Sequence, residues 1–421
     1  MVGALSGKRV DVDRGLWLAL AATLPLFGVD FWRYNDPALK LHIAVPLVIL
    51  CVVVGIGWMS VLGRRLAGRG VPPAESETPL DWWLAAALFA FVGWHLFGWI
   101  RASDRVLATR ELLKIGLGAL VLWGTLTFFP RDRRFLEAFW TTSLWASCLL
   151  VAALFFQYAF VFRAAFLGIN FAEETPEGRN LLAWVLMPMF LCALFRACAF
   201  RRSVDVPPLV ILAAGLLYIG SRGAWISVLV GLAVSAVAGG LRRFRVCLLV
   251  AVTTLAVAWL FLVLAVPAGL QFPRRALFLF RPARVPELHT YEIRLQLIEE
   301  ALACFRESPV IGLGLVGTER CINSAPHNDY VTVLGDLGVV GLLLFVGILG
   351  IITLRLIGGR PVGDGTPWLA QMTYGALAAM LVSISALGMY STPVFWLLLG
   401  QFLVEARSRM AETALRSPVG G

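Results

Sequence analysis

The sequence predicts an all-α, polytopic membrane protein, and three observations carry that expectation. Hydrophobic residues make up 59% of the chain and charged residues 15%, against roughly half and a quarter in soluble domains. Mean hydropathy is +0.81. Apolar runs near the length of about 20 residues that a helix needs to cross a hydrocarbon layer recur throughout, separated by short basic or Gly- and Pro-bearing breaks.

Taken in order, twelve runs read as spans of one integral membrane domain covering residues 1–421. They are Gly15 to Val29, His42 to Leu62, Asp81 to Ile100, Val106 to Phe129, Glu137 to Phe162 and Asn180 to Phe200. The remainder are Leu209 to Gly220, Ala224 to Gly240, Val246 to Pro267, Tyr330 to Leu354, Trp368 to Met389 and Pro393 to Val404. The seventh and twelfth are short. A basic N-terminus precedes the first run as it would a signal peptide, but Pro25-Leu26-Phe27-Gly28 offers no small-residue cleavage site, so the run reads as a retained helix.

Arginine and lysine in short loops stay on the cytoplasmic side. With both termini inside, every inward loop is basic: Lys8, Arg9 and Arg14; Arg64, Arg65 and Arg69; Arg131, Arg133 and Arg134; Arg201 and Arg202; Arg242, Arg243 and Arg245; Arg355 and Arg360; Arg407, Arg409 and Arg416. Short outward loops are poorer. Much of the net charge of +10 is thus a topology signal that needs no nucleic acid to explain it.

One outward loop is long, from Ala268 to Asp329 between spans 9 and 10, and loops of that length are usually functional. Within it Ile293, Leu297, Ala301, Leu302 and Phe305 recur at helical spacing until Ser308-Pro309, which predicts an amphipathic helix carrying Arg294 near its start. Cys304 and Cys321 share this loop, where an oxidising exterior permits a disulfide, but spacing alone leaves the pairing open. Gly312-Leu313-Gly314-Leu315-Val316-Gly317 matches the dinucleotide fingerprint, but that fingerprint needs a preceding strand and a following helix in a βαβ unit, whereas this stretch follows a helix ended by Pro309 on the outer face, so it reads as a flexible connector. No Cys or His cluster has metal-ligand spacing.

Unusual residues collect at the outward ends of helices: Glu177-Gly178-Arg179-Asn180, Ser221-Arg222-Gly223-Ala224-Trp225, and His327-Asn328-Asp329. Arginines beside helix N-termini suit a phosphate-like group, because the free N–H groups and dipole favour anions and the guanidinium fork holds phosphate oxygens bidentately. For each single arginine an interfacial anchor remains the plain alternative. Asp336, two turns into the tenth span, needs an arginine or polar partner, because a charge at mid-helix costs about 2.5 to 3.5 kcal/mol on insertion scales. A structural pairing is expected for it.

Taken together, Ser221-Arg222-Gly223-Ala224-Trp225, Arg294, Ser308-Pro309-Val310-Ile311-Gly312-Leu313-Gly314 and His327-Asn328-Asp329-Tyr330 with Asp336 and Gly338 following resemble the O-antigen ligase family of the O-antigen polymerase and ligase superfamily. The resemblance covers Arg179 to about Gly341, and the span layout with one long outward loop extends it. It implies a C-type glycosyltransferase-like architecture. It also implies transfer of a glycan from undecaprenyl pyrophosphate to a sugar hydroxyl of lipid A core, on the periplasmic face of a Gram-negative inner membrane, with no metal and no cofactor.

Such a transfer needs a base for the hydroxyl and positive charge for the departing pyrophosphate. His327, Arg222 and Arg294 are the catalytic candidates; Arg179, Asn180, Asn328, Asp329 and Tyr330 are the substrate-binding candidates, with Asn328 and Asp329 also placed to cap the helix. A polymerase taking a second carrier-linked glycan and a protein O-oligosaccharyltransferase would use the same donor chemistry. A transporter fits less well, since transport sites lie near the midplane between repeats and no internal repeat is visible.

Overall fold

The computed structural model describes residues 14–25, 52, 55–56, 79–130, 132–160, 176–200, 203–219, 221–265, 288–358, 368–386 and 388–416. Among them the secondary structure is helical throughout: α1 over 14–23, α2 Pro79–Arg101, α3 Arg105–Phe128, α4 Arg133–Phe160, α5 Pro176–Phe200, α6 Val206–Ile219 and α7 Arg222–Gly239, followed by α8 Leu241–Ala265, α9 Leu288–Phe305, α10 Gly317–Ile322, α11 Asp329–Gly358, α12 Trp368–Ser383 and α13 Pro393–Arg416. Among the described residues, five stretches are long and apolar enough to cross a membrane: Asp81–Arg101, Arg105–Phe128, Arg133–Ala153, Leu181–Phe200 and Asp329–Gly358. Shorter apolar helices accompany them at Ser203–Ile219, Arg222–Ser235 and Phe244–Leu260. The second expected span lies almost wholly outside the described residues, as does the first part of the long loop. The thirteenth helix runs well past the expected end at Val404, because Glu405 and Arg409 pair along it at 2.8 Å and keep its polar last turns helical.

The chain divides into two compact units, each assembled from separated segments. The first contains Met1–Val53, Pro130–Ala283 and Pro361–Ser383. Its centre is α5, apolar all round and enclosed by α4, α6, α7, α8 and α12, as a helix without a polar face must be. Close packing of α7 on α12 depends on small residues: a Cβ on Gly231 would stand 2.5 Å from the Gly375 carbonyl oxygen, and the Ser235 hydroxyl donates to the Gln371 carbonyl at 2.9 Å. At one end of this unit the Arg196 guanidinium binds Asp205 at 3.1 Å and stacks over Trp368, which keeps a nearly buried carboxylate paired.

The second unit contains Val54–Phe129, Arg284–Arg360 and Ile384–Gly421. An aromatic core of Phe91, Phe345, Tyr390, Phe395 and Trp396 joins α2, α11 and α13, with ring centroids 5.5 to 6.4 Å apart. The start of α2 and the far ends of α11 and α13 meet at one end, where Arg355 and Arg407 each hold the Asp81 carboxylate at 2.9 Å. The candidate site residues of this unit lie at the opposite end.

Candidate active site

The local structure of the second unit's site end begins with a broken helix. Gly338 interrupts α11 with φ 70° and ψ −171°, a conformation confined in practice to glycine. The break frees carbonyl and N–H groups inside the protein, which must find partners. The segment from Pro309 to Leu315 supplies them: Leu313 N–H donates to the Gly335 carbonyl at 2.9 Å, Gly314 N–H to that of Asp336 at 2.9 Å, and Val339 N–H to that of Pro309 at 2.9 Å. From α2, Arg101 donates to the carbonyls of Ile311 and Gly312 at 3.0 and 2.7 Å, and Trp94 Nε1 to that of Leu337 at 2.8 Å. The Gly312-to-Gly317 stretch, expected as a flexible connector, is therefore a packed strap across the helix break. Gly312 and Gly314 have φ of 72° and 95°; a Cβ on Gly312 would stand 2.3 Å from the Asp336 carbonyl oxygen, and one on Gly314 would stand 3.0 Å from the backbone of Gly98 and Ala102.

Asp336 is partnered by backbone rather than by arginine. Its carboxylate accepts the N–H groups of Val316 and Thr318 at 2.9 and 2.8 Å, which caps the start of α10 from a neighbouring helix. Cys321 of α10 is disulfide-bonded to Cys304 of α9, with Cα atoms 6.4 Å apart. The pairing left open by the spacing is thus present. It ties the helix bearing Arg294 to the short helix that leads into His327. On α9 the Arg294 side chain is part-buried, and burial holds its guanidinium pKa below the usual value.

His327 stands in the turn between α10 and α11, half-buried, with a left-handed backbone at φ 49°. The next residue is the cap: the Asn328 side-chain oxygen accepts Val331 N–H at 3.1 Å and its carbonyl accepts Thr332 N–H at 2.9 Å. Asp329 is fully buried, and its carboxylate accepts Met389 N–H at 3.0 and 2.8 Å and Tyr390 N–H at 2.8 Å. The carboxylate, expected among the substrate-binding groups, is thus engaged with backbone N–H groups. Tyr330 turns its half-buried ring toward Phe345, centroids 6.0 Å apart. Nearby, an ion pair between Arg320 and Asp104 links α10 to the cap of α3, a contact that the sequence did not signal because 216 residues separate the partners.

In the first unit Arg222 opens α7 and is exposed. Ser221 precedes it as cap, its hydroxyl accepting Ala224 N–H at 3.5 Å, while Trp225 packs on Phe190 at 6.1 Å. Most of Ser221 to Trp225, expected as a connection, is the first turn of the helix. Arg179 and Asn180 lie in the first turns of α5; their side chains are outside the described residues. Among the described residues, the structure thus places Asn328, Asp329 and Tyr330 beside His327 at the start of α11, Asp336 two turns further along that helix, Arg294 on α9, which packs on α11, and Arg222 at a helix start of the other unit.

Residues 207–346 match a protein-family model described as O-antigen ligase. The matched stretch includes Arg222, Arg294, His327, Asn328, Asp329, Tyr330 and Asp336, whereas Arg179 and Asn180 precede it. The match supports an O-antigen ligase family assignment and a membrane glycosyltransferase-type activity. No curated protein matches the chain. A solved structure described as "Structural coordination of polymerization and crosslinking by a peptidoglycan synthase complex" is similar at 22% identity over 78% of this chain and 98% of that one, with a TM-score of 0.42. Likeness at that level says nothing of function.

Proposed function

We propose that this protein transfers a glycan from undecaprenyl pyrophosphate to a sugar hydroxyl of lipid A core, at the periplasmic face of a Gram-negative inner membrane. The acceptor oxygen attacks the anomeric carbon, the bond from that carbon to the pyrophosphate oxygen breaks, and the acceptor proton passes to the His327 imidazole. The carrier leaves as undecaprenyl pyrophosphate. A neutral imidazole is the group for the proton. Arg222 and Arg294, with Arg179 as a third, take the developing charge on the pyrophosphate in place of a metal ion.

The observation that carries this reading is the placement of His327. It stands half-buried at the start of the most apolar candidate span, held by a capped turn, in the unit that also carries the part-buried Arg294. A donor and an acceptor that are both lipids of one leaflet present their reacting groups at headgroup height, which is where a residue at the lip of a spanning helix works. The Cys304–Cys321 disulfide supports an external position for the loop, since structural disulfides persist in oxidising compartments.

The test is acceptor choice. Purified enzyme supplied with carrier-linked glycan and lipid A core should yield glycan on the core and release undecaprenyl pyrophosphate. Chain growth on a second carrier-linked glycan, with the core left bare, would make the enzyme a polymerase instead.

A further inference from the structure

A histidine with positive φ persists where its surroundings over-determine it, and here the surroundings are specific. Asn328 fixes the helix start that follows His327. Asp329 does more, because it binds that start to a second segment of the same unit. Its N–H donates to the Ile384 carbonyl at 2.9 Å, and its buried carboxylate grips the N–H groups of Met389 and Tyr390.

The gripped turn is itself rigid. Thr392 closes it, donating from both N–H and hydroxyl to the Met389 carbonyl at 2.9 and 2.7 Å. Trp396 Nε1 donates to the Tyr390 carbonyl at 2.8 Å, and the Tyr390 ring is set between His95 and Phe345 at 6.1 and 5.8 Å. Three N–H hydrogen bonds converge on this carboxyl group, so it anchors the chain two residues from the imidazole against a packed aromatic core.

We propose that Asp329 is a positioning residue for glycosyl transfer: its carboxylate, fixed on the Met389–Tyr390 backbone, holds His327 at its working height and rotation and never touches the reacting atoms. The inference rests on His327 being the base. Asparagine at 329 keeps the size but turns an amide NH₂ toward an N–H donor, which loosens the clamp. A misplacement near 1 Å costs on the order of 100-fold in rate.

The experiment is a double-mutant cycle on the full-length protein in lipid nanodiscs, with carrier-linked glycan as donor and lipid A core as acceptor. Asp329→Asn should lower kcat by roughly 10- to 100-fold and leave the donor KM unchanged. In a His327→Ala background the same substitution should change nothing further, because the residue it positions is gone. Should Asp329→Asn fail to accumulate in the membrane, Asp329→Glu, which keeps the carboxyl group but displaces it by one methylene, is measured in the same cycle with the same expectation. Losses that multiply when combined with His327→Ala, or a raised KM with kcat intact, would overturn the positioning role alone. A wild-type rate in His327→Ala would instead overturn the base assignment on which the inference stands.

Discussion

Gly338 lies so close to Val310 that the Val310 carbonyl oxygen occupies the place a side chain at 338 would take. This approach lets the strap cross the broken helix, and φ of 70° with ψ of −171° makes any other residue there strained by about 1 to 3 kcal/mol before the clash is counted. Gly338→Ala should therefore lower the thermal midpoint in detergent and reduce the amount of protein in the membrane. Gly347→Ala, in the same helix with open space where a Cβ would go, should do neither.

Asp336→Ala removes the acceptor for two buried N–H groups, and each orphaned donor costs about 1 to 3 kcal/mol. A several-kcal/mol loss of stability is expected, with activity falling in proportion to the folded protein recovered. Asp336→Asn keeps one acceptor and should lie between the two. Thermal melts paired with activity per folded molecule check this, and an unchanged melt with abolished activity would give Asp336 a chemical role instead.

Much of this architecture was legible. Composition and the apolar runs predict a helical membrane chain, and the spacing from Ile293 to Phe305 predicts α9. What was hidden depends on long-range backbone contacts. Nothing local in Gly312 to Gly317 says that its N–H groups meet the carbonyls of a helix broken at Gly338, although three glycines at 312, 314 and 338 were the available sign of close approach. The partners of Asp329 were hidden for a similar reason: beside a histidine it resembles a ligand group, and only the return of the chain at Met389 and Tyr390 brings N–H groups to its carboxylate.

Orientation is open to a labelling experiment. Glu307 and Arg134 are both exposed, and the basic-loop pattern puts the first outside and the second in the cytoplasm. With the native free cysteines replaced, a membrane-impermeant maleimide applied to spheroplasts should label Glu307→Cys and spare Arg134→Cys. The reverse pattern would invert the topology and remove the periplasmic site.

Arg222 and Arg294 are expected to bind the donor pyrophosphate through their planar forks. Replacing either by Ala should abolish transfer while the protein stays in the membrane, and Lys should rescue poorly because an ammonium cannot bind bidentately. Full activity of both lysine variants would reduce the two residues to charge or anchoring. A chelator should leave purified enzyme unaffected; inhibition reversed by a divalent metal would contradict the arginine-only account.

The most direct measurement is single-turnover transfer by His327→Ala across pH. If the neutral imidazole takes the acceptor proton, the wild-type rate rises from acid pH to a plateau across about pH 5 to 8, where imidazoles titrate, because protonation of the ring removes the base. The variant should bind carrier-linked donor normally, lose the pH limb, and turn over ~10²- to 10⁴-fold more slowly, the usual cost of a missing base. A His327→Ala enzyme that keeps more than about a tenth of the wild-type rate, with the same pH limb, would contradict the account and leave His327 a structural residue at the start of its helix.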